Sequence, residues 1–292
     1  MKGIILAGGT GTRLYPMTKA ISKQLLPVCG KPMIYYPLSV LMEGGIREIL
    51  IISTPQDIPR FQALLGDGSN WGIHLQYTVQ PSPDGIAQAL LLAEAFLGND
   101  CVTLILGDNL FYGPDFSSEL RLAISLAGQS AVSTIFAKRV PDPARFGVVE
   151  FSDNGHVLSI EEKPLHPKSP YCITGLYIFD SKAVSYAHAL VPSRRGELEI
   201  TDVIRRYMLS NMLRVTPLSE DFIWMDAGTH DSYIDATNII YALEQELCYK
   251  IGCPEASAFR NSWITAEKLA EIATLYGKNQ YSEYLQTLTK AK

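Results

Sequence analysis

A glycine-rich segment near the start of the chain combines residue types that suit the binding of a phosphate chain. Gly8, Gly9 and Gly11 follow a short apolar run, and Arg13 and Lys23 come after them. Glycines let backbone N–H groups approach an anion closely, because no Cβ obstructs them. A guanidinium and an ammonium beside such a loop could neutralise the α- and γ-phosphates of a triphosphate. Taken alone, the segment is equally compatible with a tight turn that carries two solvated cations.

Two common nucleotide-binding motifs are absent from this segment. Leu14 stands where the dinucleotide fingerprint has its third glycine, and the chain has no G-x-x-x-x-G-K-[ST] motif. NAD binding and a P-loop ATPase are therefore both disfavoured.

Two aspartates in apolar surroundings suggest a magnesium site. Asp108 closes an apolar run, and Asp226 lies in a second apolar segment. Mg²⁺ usually takes few protein ligands and completes its shell with phosphate oxygens and water. Each aspartate taken singly is also compatible with a helix cap or a turn. Gln80 follows another apolar run, and its amide could pair with a base edge beside Gly85.

Apolar runs alternate with helical segments in the first 110 residues, which predicts a doubly wound α/β half with a mostly parallel sheet. The predicted strands are 2–7, 47–53, 74–80 and 101–108, and the predicted helices are 32–43, 57–65 and 86–97. Gly8, Gln80 and Asp108 all lie close to the carboxyl end of a predicted strand. Ligands bind at that edge in open α/β sheets, so we expect these residues to share one crevice.

Strand-like runs in the middle of the chain predict an antiparallel extension of the sheet, on which the sugar side of a site could lie. These runs are 131–138, 147–152, 156–162 and 171–179, and the predicted helices of the C-terminal segment include 236–250 and 266–276. We expect an α/β domain over 1–230, with a nucleotide half (about 1–125) and a sugar-binding half (about 126–230). The helical segment 231–292 should belong to the same compact unit.

Composition excludes several classes of protein. The 292 residues are 47% hydrophobic and 19% charged, as in a globular protein, and the formal net charge of -5 comes without any basic block. Binding to nucleic acid or to a membrane surface is therefore not expected. The five cysteines form no C-x-x-C pair, and no apolar run is long enough for a secretory signal or a membrane span. We expect a reduced, cytoplasmic protein.

The string G-G-x-G-T-R-L-x-P-x-T…K-x-L-x-P-V over residues 8–28 resembles the N-terminus of the sugar-nucleotide pyrophosphorylases. Residues 106–109, 161–164 and 224–229 resemble further blocks of that family, in the family's order. Segments that resemble the branch using dTTP and glucose 1-phosphate are 34–39, 53–57, 80–85 and 195–202. The similarity covers nearly the whole chain.

The resemblance implies an enzyme that makes dTDP-glucose and pyrophosphate from dTTP and glucose 1-phosphate. Arg13, Lys23 and Lys163 would act in catalysis, and Asp108 and Asp226 would hold Mg²⁺. It also implies nucleotide-binding roles for Leu6, Gly8, Gly9, Gly11, Thr12, Arg13, Gln24, Gln80, Pro83, Gly85 and Asp108. Sugar-phosphate-binding roles are implied for Gly147, Glu162, Lys163, Ile173, Thr174, Gly175, Thr201 and Trp224.

Some alternatives stay open at this level. The same chemistry could use UTP or another sugar 1-phosphate, or the chain could bind nucleotide without turnover. From the residues alone, 161–163 is also compatible with a solvated charge cluster. Phe146 and Ala227 depart from the family pattern, since each lacks a hydroxyl expected near the sugar.

The resemblance also has implications for assembly and regulation. The resembled enzymes are homotetramers that an end product such as dTDP-rhamnose inhibits at a second site between subunits. Large apolar residues after position 231 need cover from the core or from another subunit. We expect a homotetramer with a second nucleotide site, to which Lys250, Glu255 and Arg260 could contribute.

Overall fold

The computed structural model describes residues 1–290. Its strands are β1 Lys2–Leu6, β2 Pro27–Val28, β3 Lys31–Pro32, β4 Glu48–Ser53, β5 His74–Val79, β6 Val102–Leu106, β7 Asn109–Tyr112, β8 Ser133–Arg139, β9 Gly147–Phe151, β10 Val157–Glu162, β11 Tyr171–Phe179, β12 Leu213–Pro217 and β13 Ile223–Asp226. Its α-helices are α1 Tyr35–Glu43, α2 Ile58–Leu65, α3 Gln88–Leu92, α4 Glu94–Leu97, α5 Phe116–Ser130, α6 Ala183–His188, α7 Ile200–Leu209, α8 His230–Leu247, α9 Pro254–Arg260, α10 Ala266–Leu275 and α11 Gln280–Lys290.

The central sheet joins a parallel half to an antiparallel half. Strand β1 lies between β4 and β6 and is parallel to both, and β4 is parallel to β5. Strand β11 runs antiparallel to β6, β8 and β9, and β12 adds parallel to β8 at a further edge. The predicted fold class, a mostly parallel α/β sheet with an antiparallel extension, is confirmed.

Alternating side chains of the parallel strands pack into two separate cores, one on each face of the sheet. Ile49 and Ile51 of β4 pack in the first core, whereas Leu50 and Ile52 pack in the second. Parallel strands buried on both faces read as continuous apolar runs, and this explains why the sequence signal was clear. The first core contains residues of α1, α5, α9, α10 and α11, and the second contains residues of α3, α4, α6 and α7.

A separate two-stranded ribbon stands beside the main sheet. Strands β7 and β13 pair antiparallel, with Asn109 opposite Asp226 and Leu110 opposite Met225. The N–H of Ala227 donates to the carbonyl of Asp108 at 3.1 Å, which extends the pairing by one step. The ribbon thus brings the residues around 108 and 226 together from distant parts of the chain.

Several predicted boundaries were wrong in detail. The predicted strand 101–108 ends earlier, at Leu106, because the chain turns at Gly107 and Asp108 before the next strand, β7, begins at Asn109. The predicted helix 86–97 is two short helices. The described part of the C-terminal segment, up to residue 290, contains four helices, where two or three were expected. Within residues 1–290, no helix is both long and apolar enough to cross a bilayer.

Candidate active site

A cavity of about 400 Å³ opens where the parallel strands end. Leu6 ends β1, Leu106 ends β6 and Gln80 directly follows β5, and all three side chains reach this cavity. Its wall consists of Leu6, Gly8, Gly9, Arg13, Lys23, Gln24, Gln80, Pro83, Gly85, Ile86, Leu106, Asp108, Asn109, Arg145, Phe146, Gly147, Glu162, Lys163, Ile173, Gly175, Tyr177, Glu197, Ile200, Thr201, Trp224 and Asp226.

One side of the cavity is formed by the glycine-rich loop and by Gln80. A Cβ at Gly8 would lie 2.4 Å from Oε1 of Gln80, and Gly9 adopts φ +100°, so both positions favour glycine. Nε2 of Gln80 donates to Oε1 of Gln88 at 2.7 Å, and Nε2 of Gln88 donates to Oδ2 of Asp84 at 2.7 Å. This chain of hydrogen bonds fixes the orientation of the Gln80 amide, which can present both an acceptor and a donor.

The loop that carries Pro83 and Gly85 is held against a distant segment. The N–H of Leu198 donates to the carbonyl of Asp84 at 2.7 Å, and the carbonyl of Leu198 accepts from the N–H of Ala87 at 3.1 Å. A Cβ at Gly85 would lie 2.3 Å from that carbonyl oxygen. Only glycine permits this approach, so the backbone of Gly85 stands at the cavity wall.

The two cations of the N-terminal segment lie beside the two aspartates. Nζ of Lys23 forms an ion pair with Oδ2 of Asp108. Arg13 approaches Gly228, where a Cβ would be 3.1 Å from Nη2 of Arg13 and 2.8 Å from Oδ1 of Asp226. The cavity therefore contains both signs of charge in direct proximity.

The two aspartates perturb each other in this buried place. Burial, and then repulsion by Asp108, raise the pKa of Asp226 to about 6, and the charges of Lys23 and Arg13 oppose that rise. Burial acts to raise the pKa of Asp108 as well, but Lys23 and Asn109 donate to its carboxylate and bring the pKa below its ordinary value. Hydrogen bonds thus compensate the burial of the Asp108 charge, whereas the burial of the Asp226 charge is not fully compensated.

This donor set fits a divalent cation. Burial first, and then repulsion by Asp108, disfavour the charged form of Asp226, and a cation bound to both carboxylates would oppose both effects. Among residues 1–290 there is no group of three or more acidic, histidine or cysteine side chains that could enclose a metal. Two carboxylates suit Mg²⁺, which leaves most of its coordination positions to substrate oxygens and water.

The opposite side of the cavity carries Lys163 and Glu162. Lys163 adopts φ +41°, its N–H donates to the carbonyl of Phe146 at 3.0 Å, and its Nζ lies 3.8 Å from Oε1 of Glu162. Burial, and then repulsion by Glu199, raise the pKa of Glu162. Arg195 links the two carboxylates, at 3.3 Å from Glu162 and 2.8 Å from Glu199. The Lys163 side chain is 45% exposed, so its ammonium is available to a ligand.

An aromatic pair closes the cavity near this lysine. The rings of Phe146 and Trp224 meet edge to face with centroids 5.2 Å apart, and the guanidinium of Arg145 lies over the Phe146 ring at 5.6 Å. Gly147 follows, where a Cβ would lie 2.9 Å from Cγ2 of Thr201. The wall here is partly aromatic, with the Arg145 guanidinium beside the rings.

Most residues singled out from the sequence line this one cavity, but three do not. Thr174 is fully buried, and its hydroxyl donates to the carbonyl of Phe136 at 3.1 Å, because successive β11 side chains point to opposite faces. Gly11 and Thr12 are not part of the cavity wall: a Cβ at Gly11 would meet Thr18, and Thr12 begins a 3₁₀ turn. The expected contact of Thr174 with the sugar is therefore wrong.

Ala227 also differs from expectation. It was expected near the sugar, but it is fully buried and packs with Val28, Met33, Tyr36 and other residues of a third small core. The missing hydroxyl at this position therefore does not face the cavity. Phe146, the other departure, does line it.

Several wall residues were not identified from the sequence. They are Ile86, Leu106, Asn109, Arg145, Tyr177, Glu197 and Ile200. Adjacency was the available signal for two of them, since Asn109 follows Asp108 and Arg145 stands two residues before Gly147. Leu106, Glu197 and Ile200 fall inside 106–109 and 195–202, segments already noted for their resemblance to the family. Ile86 and Tyr177 occupy ordinary positions that carry no local signal.

A second cavity of about 330 Å³ lies away from these residues. Lys250 and Arg260 line it, together with Arg121, Glu43 and Tyr36. Glu255, which was expected beside them, is absent from its wall.

Glu255 is instead fully buried at a different position. It accepts hydrogen bonds from Trp71 at 3.1 Å, Tyr276 at 2.7 Å and Tyr281 at 2.5 Å. These hydrogen bonds occupy both carboxylate oxygens, so the expected contribution of Glu255 to a second site is wrong.

Comparison with known proteins identifies the class of this fold and cavity. A family model described as nucleotidyl transferase matches residues 2–242. The chain therefore belongs to the nucleotidyl transferase family.

Relatives that match over nearly their whole length carry a narrower name. A protein of Neisseria meningitidis serogroup A / serotype 4A is 53% identical over 290 residues, with 99% of this chain and 100% of that protein covered, and is named glucose-1-phosphate thymidylyltransferase. Proteins with the same name from Xanthomonas campestris pv. campestris and Mycobacterium tuberculosis are 52% and 47% identical. In both cases the match covers 99% of this chain, with 97% and 99% of the relative.

Solved structures agree with these relatives. A Bacillus anthracis crystal structure, described as a candidate glucose-1-phosphate thymidylyltransferase in complex with a sucrose, aligns with a TM-score of 0.75 and 43% identity, covering 82% of this chain and 95% of that one. A UDP-glucose pyrophosphorylase complexed with UDP-glucose aligns with a TM-score of 0.71 and 25% identity, covering 83% and 98%.

Proposed function

We propose that the chain joins dTTP to glucose 1-phosphate and releases dTDP-glucose and pyrophosphate, with Mg²⁺ as the divalent cation. One observation carries the proposal: a single cavity has a fixed amide and a glycine-rich loop on one side, a half-exposed lysine on the other, and a pair of buried carboxylates in its wall. The names of the full-length relatives support the same reaction. Supply of dTDP-glucose for dTDP-rhamnose-type sugars in the cytoplasm would be its role.

The reaction requires positioning and charge neutralisation more than proton transfer. The attacking group is an ionised sugar phosphate, so no general base is needed for an in-line attack on the α-phosphorus. Lys163 would hold the attacking phosphate and lower the repulsion between the two anions. Arg13 and Lys23 would bind the triphosphate and stabilise the negative charge of the transition state and of the leaving pyrophosphate.

Asp108 and Asp226 would hold the cation. When bound, the cation supplies additional neutralisation of the triphosphate. Lys23 then has two possible partners, since it pairs with Asp108 in the structure and would also serve the phosphates. The Gln80 amide would recognise the thymine edge, with the Gly85 backbone against the ring and the glycine-rich loop around the phosphates.

Glu162 and its neighbours would recognise the sugar. Arg195 holds the Glu162 carboxylate at 3.3 Å, so a hydrogen-bond acceptor for sugar hydroxyls is fixed next to Lys163. The Phe146 and Trp224 rings would cover an apolar face of the hexose.

A panel of substrates tests the proposal. Pyrophosphate release should be measured for every common nucleoside triphosphate with glucose 1-phosphate and with several other hexose 1-phosphates. The highest kcat/KM is expected for dTTP with glucose 1-phosphate. A clear preference for UTP would favour the second candidate, which the structural similarity to a UDP-glucose pyrophosphorylase supports. No release with any pair would overturn the enzymatic proposal in favour of non-catalytic nucleotide binding.

We also propose a homotetramer with a regulatory nucleotide site at the second cavity. Lys250, Arg121 and Arg260 line that cavity, where Arg260 pairs with Glu43 and Lys250 with Glu244, and this excess of cations in the wall suits an anionic nucleotide sugar. Tyr241 is 58% exposed and Leu275 73%, and a partner subunit would cover such side chains. Sedimentation at micromolar concentration tests the assembly, and a clean monomer would exclude it. dTDP-rhamnose should inhibit an enzyme already saturated with dTTP, whereas purely competitive inhibition would exclude the second site.

A further inference from the structure

The side chain of Asn109 makes three hydrogen bonds at the wall of the main cavity, and no role has yet been assigned to it. It is 2% exposed. Its Oδ1 accepts from Nε1 of Trp224 at 2.7 Å and from the N–H of Gly175 at 3.1 Å. Its Nδ2 donates to Oδ1 of Asp108 at 3.1 Å. Both accepted bonds come from N–H donors, so the amide can be placed in one orientation only, with its NH₂ toward Asp108.

Gly175 is shaped to receive this amide. The pairing of β11 with β8 shifts register between Ile173 and Tyr177, so Gly175 lies inside an irregular stretch of the ladder. A Cβ at Gly175 would lie 2.5 Å from Oδ1 of Asn109, which is closer than any real side chain permits. The glycine therefore allows its own N–H to be satisfied by a side chain from another strand.

The same amide also connects the two strands of the ribbon, β7 and β13. Asn109 begins β7 and stands opposite Asp226 in the ribbon. Trp224 lies two residues before Asp226 on β13, and residues two apart in a strand share a face. The bond to Trp224 thus fixes the β13 strand against β7 on the side where Asp226 projects.

The Asp108 carboxylate has one fixed donor and one movable donor. Asn109 donates to Oδ1, and its amide is restrained by two further bonds. Lys23 pairs with Oδ2, but its ammonium stands on a flexible four-carbon stem and is also the proposed ligand of the triphosphate. When Lys23 turns to the phosphates, Asn109 is the donor that stays with Asp108.

We infer that Asn109 is a positioning residue that holds the Asp108 carboxylate in the orientation required for divalent-cation binding, through its bonds to Trp224 and Gly175. The inference rests on the proposed function, since it takes Asp108 as a cation ligand. Hydrogen bonds to a ligating carboxylate act in this way generally, and losing one costs roughly 10–100-fold in metal affinity or activity.

The test is a titration of the substrate-free protein with Mn²⁺. Binding is measured as the loss of the electron paramagnetic resonance signal of the free ion. Asn109→Leu keeps the number and branching of the side-chain heavy atoms and removes all three hydrogen bonds. We expect it to weaken Mn²⁺ binding by about 10–100-fold. Thr174→Val is the matched control, because it also removes one buried hydrogen bond beside Gly175 but has no bond to Asp108. It should leave Mn²⁺ affinity unchanged.

Two further variants keep each outcome decisive. Trp224→Phe keeps a ring but removes the N–H that fixes the amide, so it should weaken Mn²⁺ binding severalfold even if Asn109→Leu does not fold. Asp108→Asn should abolish binding. If Asp108→Asn loses Mn²⁺ while Asn109→Leu or Trp224→Phe binds like the wild type, the inference is overturned and the proposed function stands. If Asp108→Asn binds normally, Asp108 is not a ligand, and both are overturned.

Discussion

Replacing Glu244 with glutamine should destabilise the protein strongly, although Glu244 lies outside the proposed active site. Its side chain is 1% exposed and forms ion pairs with Lys31 at 2.6 Å and with Lys250 at 2.9 Å. The N–H of Ile251 donates to the same carboxylate at 2.9 Å. The Lys31 side chain is itself 2% exposed and lies over the Tyr36 ring at 5.3 Å. Glutamine would keep an acceptor for Ile251 but remove the charge.

The magnitude follows from the burial of Lys31. An ammonium that cannot reach water loses its counter-charge, and breaking a buried pair in this way costs about 3–5 kcal/mol. Lys250 contributes little to that cost, because it is 23% exposed and can turn toward solvent. At about 2.1 cal/mol/K per residue, unfolding of a 292-residue chain carries an entropy of ~0.6 kcal/mol/K, so Tm should fall by roughly 5–8 °C.

Differential scanning fluorimetry at one fixed protein concentration measures this shift. The matched control is Glu271→Gln, which breaks an exposed pair with Lys268 and should change stability by less than about 1 kcal/mol. The double variant Lys31→Met/Glu244→Gln removes the stranded cation and should recover much of the loss. A Glu244→Gln protein that melts within 2 °C of the wild type, where ~3 kcal/mol was expected, would refute the reasoning.

Three further predictions concern the cavity itself. Lys163→Ala should raise KM for glucose 1-phosphate, and Lys23→Ala should lower kcat. Each variant should lose more than about tenfold in kcat/KM, because a hydrogen bond to a charged group contributes ~1.5–3 kcal/mol. Equal, small effects on both substrates would contradict the assignment. The pKa of Asp226 is raised from 3.8 to about 6 in the folded protein, so folding favours the protonated carboxyl. In the metal-free protein, the stability contributed by Asp226 should therefore grow as the pH falls through 6 and be lost as the pH rises above 6. Mn²⁺ affinity should fall correspondingly as pH drops below 6, and an affinity independent of pH between 5 and 8 would exclude Asp226 as a ligand. Gly175→Ala should cost about 1–3 kcal/mol and weaken Mn²⁺ binding, because the new Cβ would lie 2.5 Å from Asn109; an unchanged melting curve and titration would show that the amide can move aside.

The parallel half of the sheet could be predicted because its strands are buried on both faces. Continuous apolar runs such as Ile49–Ile52 leave little ambiguity, and the residues just past each strand end then fall at one edge. The break at Gly107 was missed because the apolar run continues beyond Asp108 into β7. The carboxylate stands in the turn between two strands, where it can accept hydrogen bonds.

The ribbon of β7 and β13 could not be predicted from local pattern. Strand β13 has four residues, and its partner lies far away in the sequence. The burial of Ala227 depends on that pairing, so a departure from the family motif there was misassigned to the sugar pocket. The sugar contact predicted for Thr174 was misplaced for a related reason, because the sequence does not show which face of β11 meets the cavity.

Glu255 shows why the burial of a charged residue could not be predicted from the sequence. An acidic residue in the first turn of a helix in a C-terminal segment is usually solvated, and nothing near it in the sequence marks it as buried. Its partners come from Trp71, Tyr276 and Tyr281, which only the packed structure brings together. The boundary placed near residue 230 stays a prediction. Helices α9, α10 and α11 share the first core with α1 and α5, whereas α8 packs in the third.

The ribbon of β7 and β13 also has a consequence for how the protein is made. A chain is synthesised from its N-terminus, and its early segments emerge first. A chain grown only as far as β12 already contains the glycine-rich loop, Lys23 and Asp108, but it has neither the pairing strand nor the second carboxylate. On the proposed assignment, such a nascent chain or proteolytic fragment cannot complete the cation site. On that assignment, cation-dependent nucleotide chemistry would begin only after β13 has been synthesised and paired, and incomplete copies of the chain would not consume dTTP.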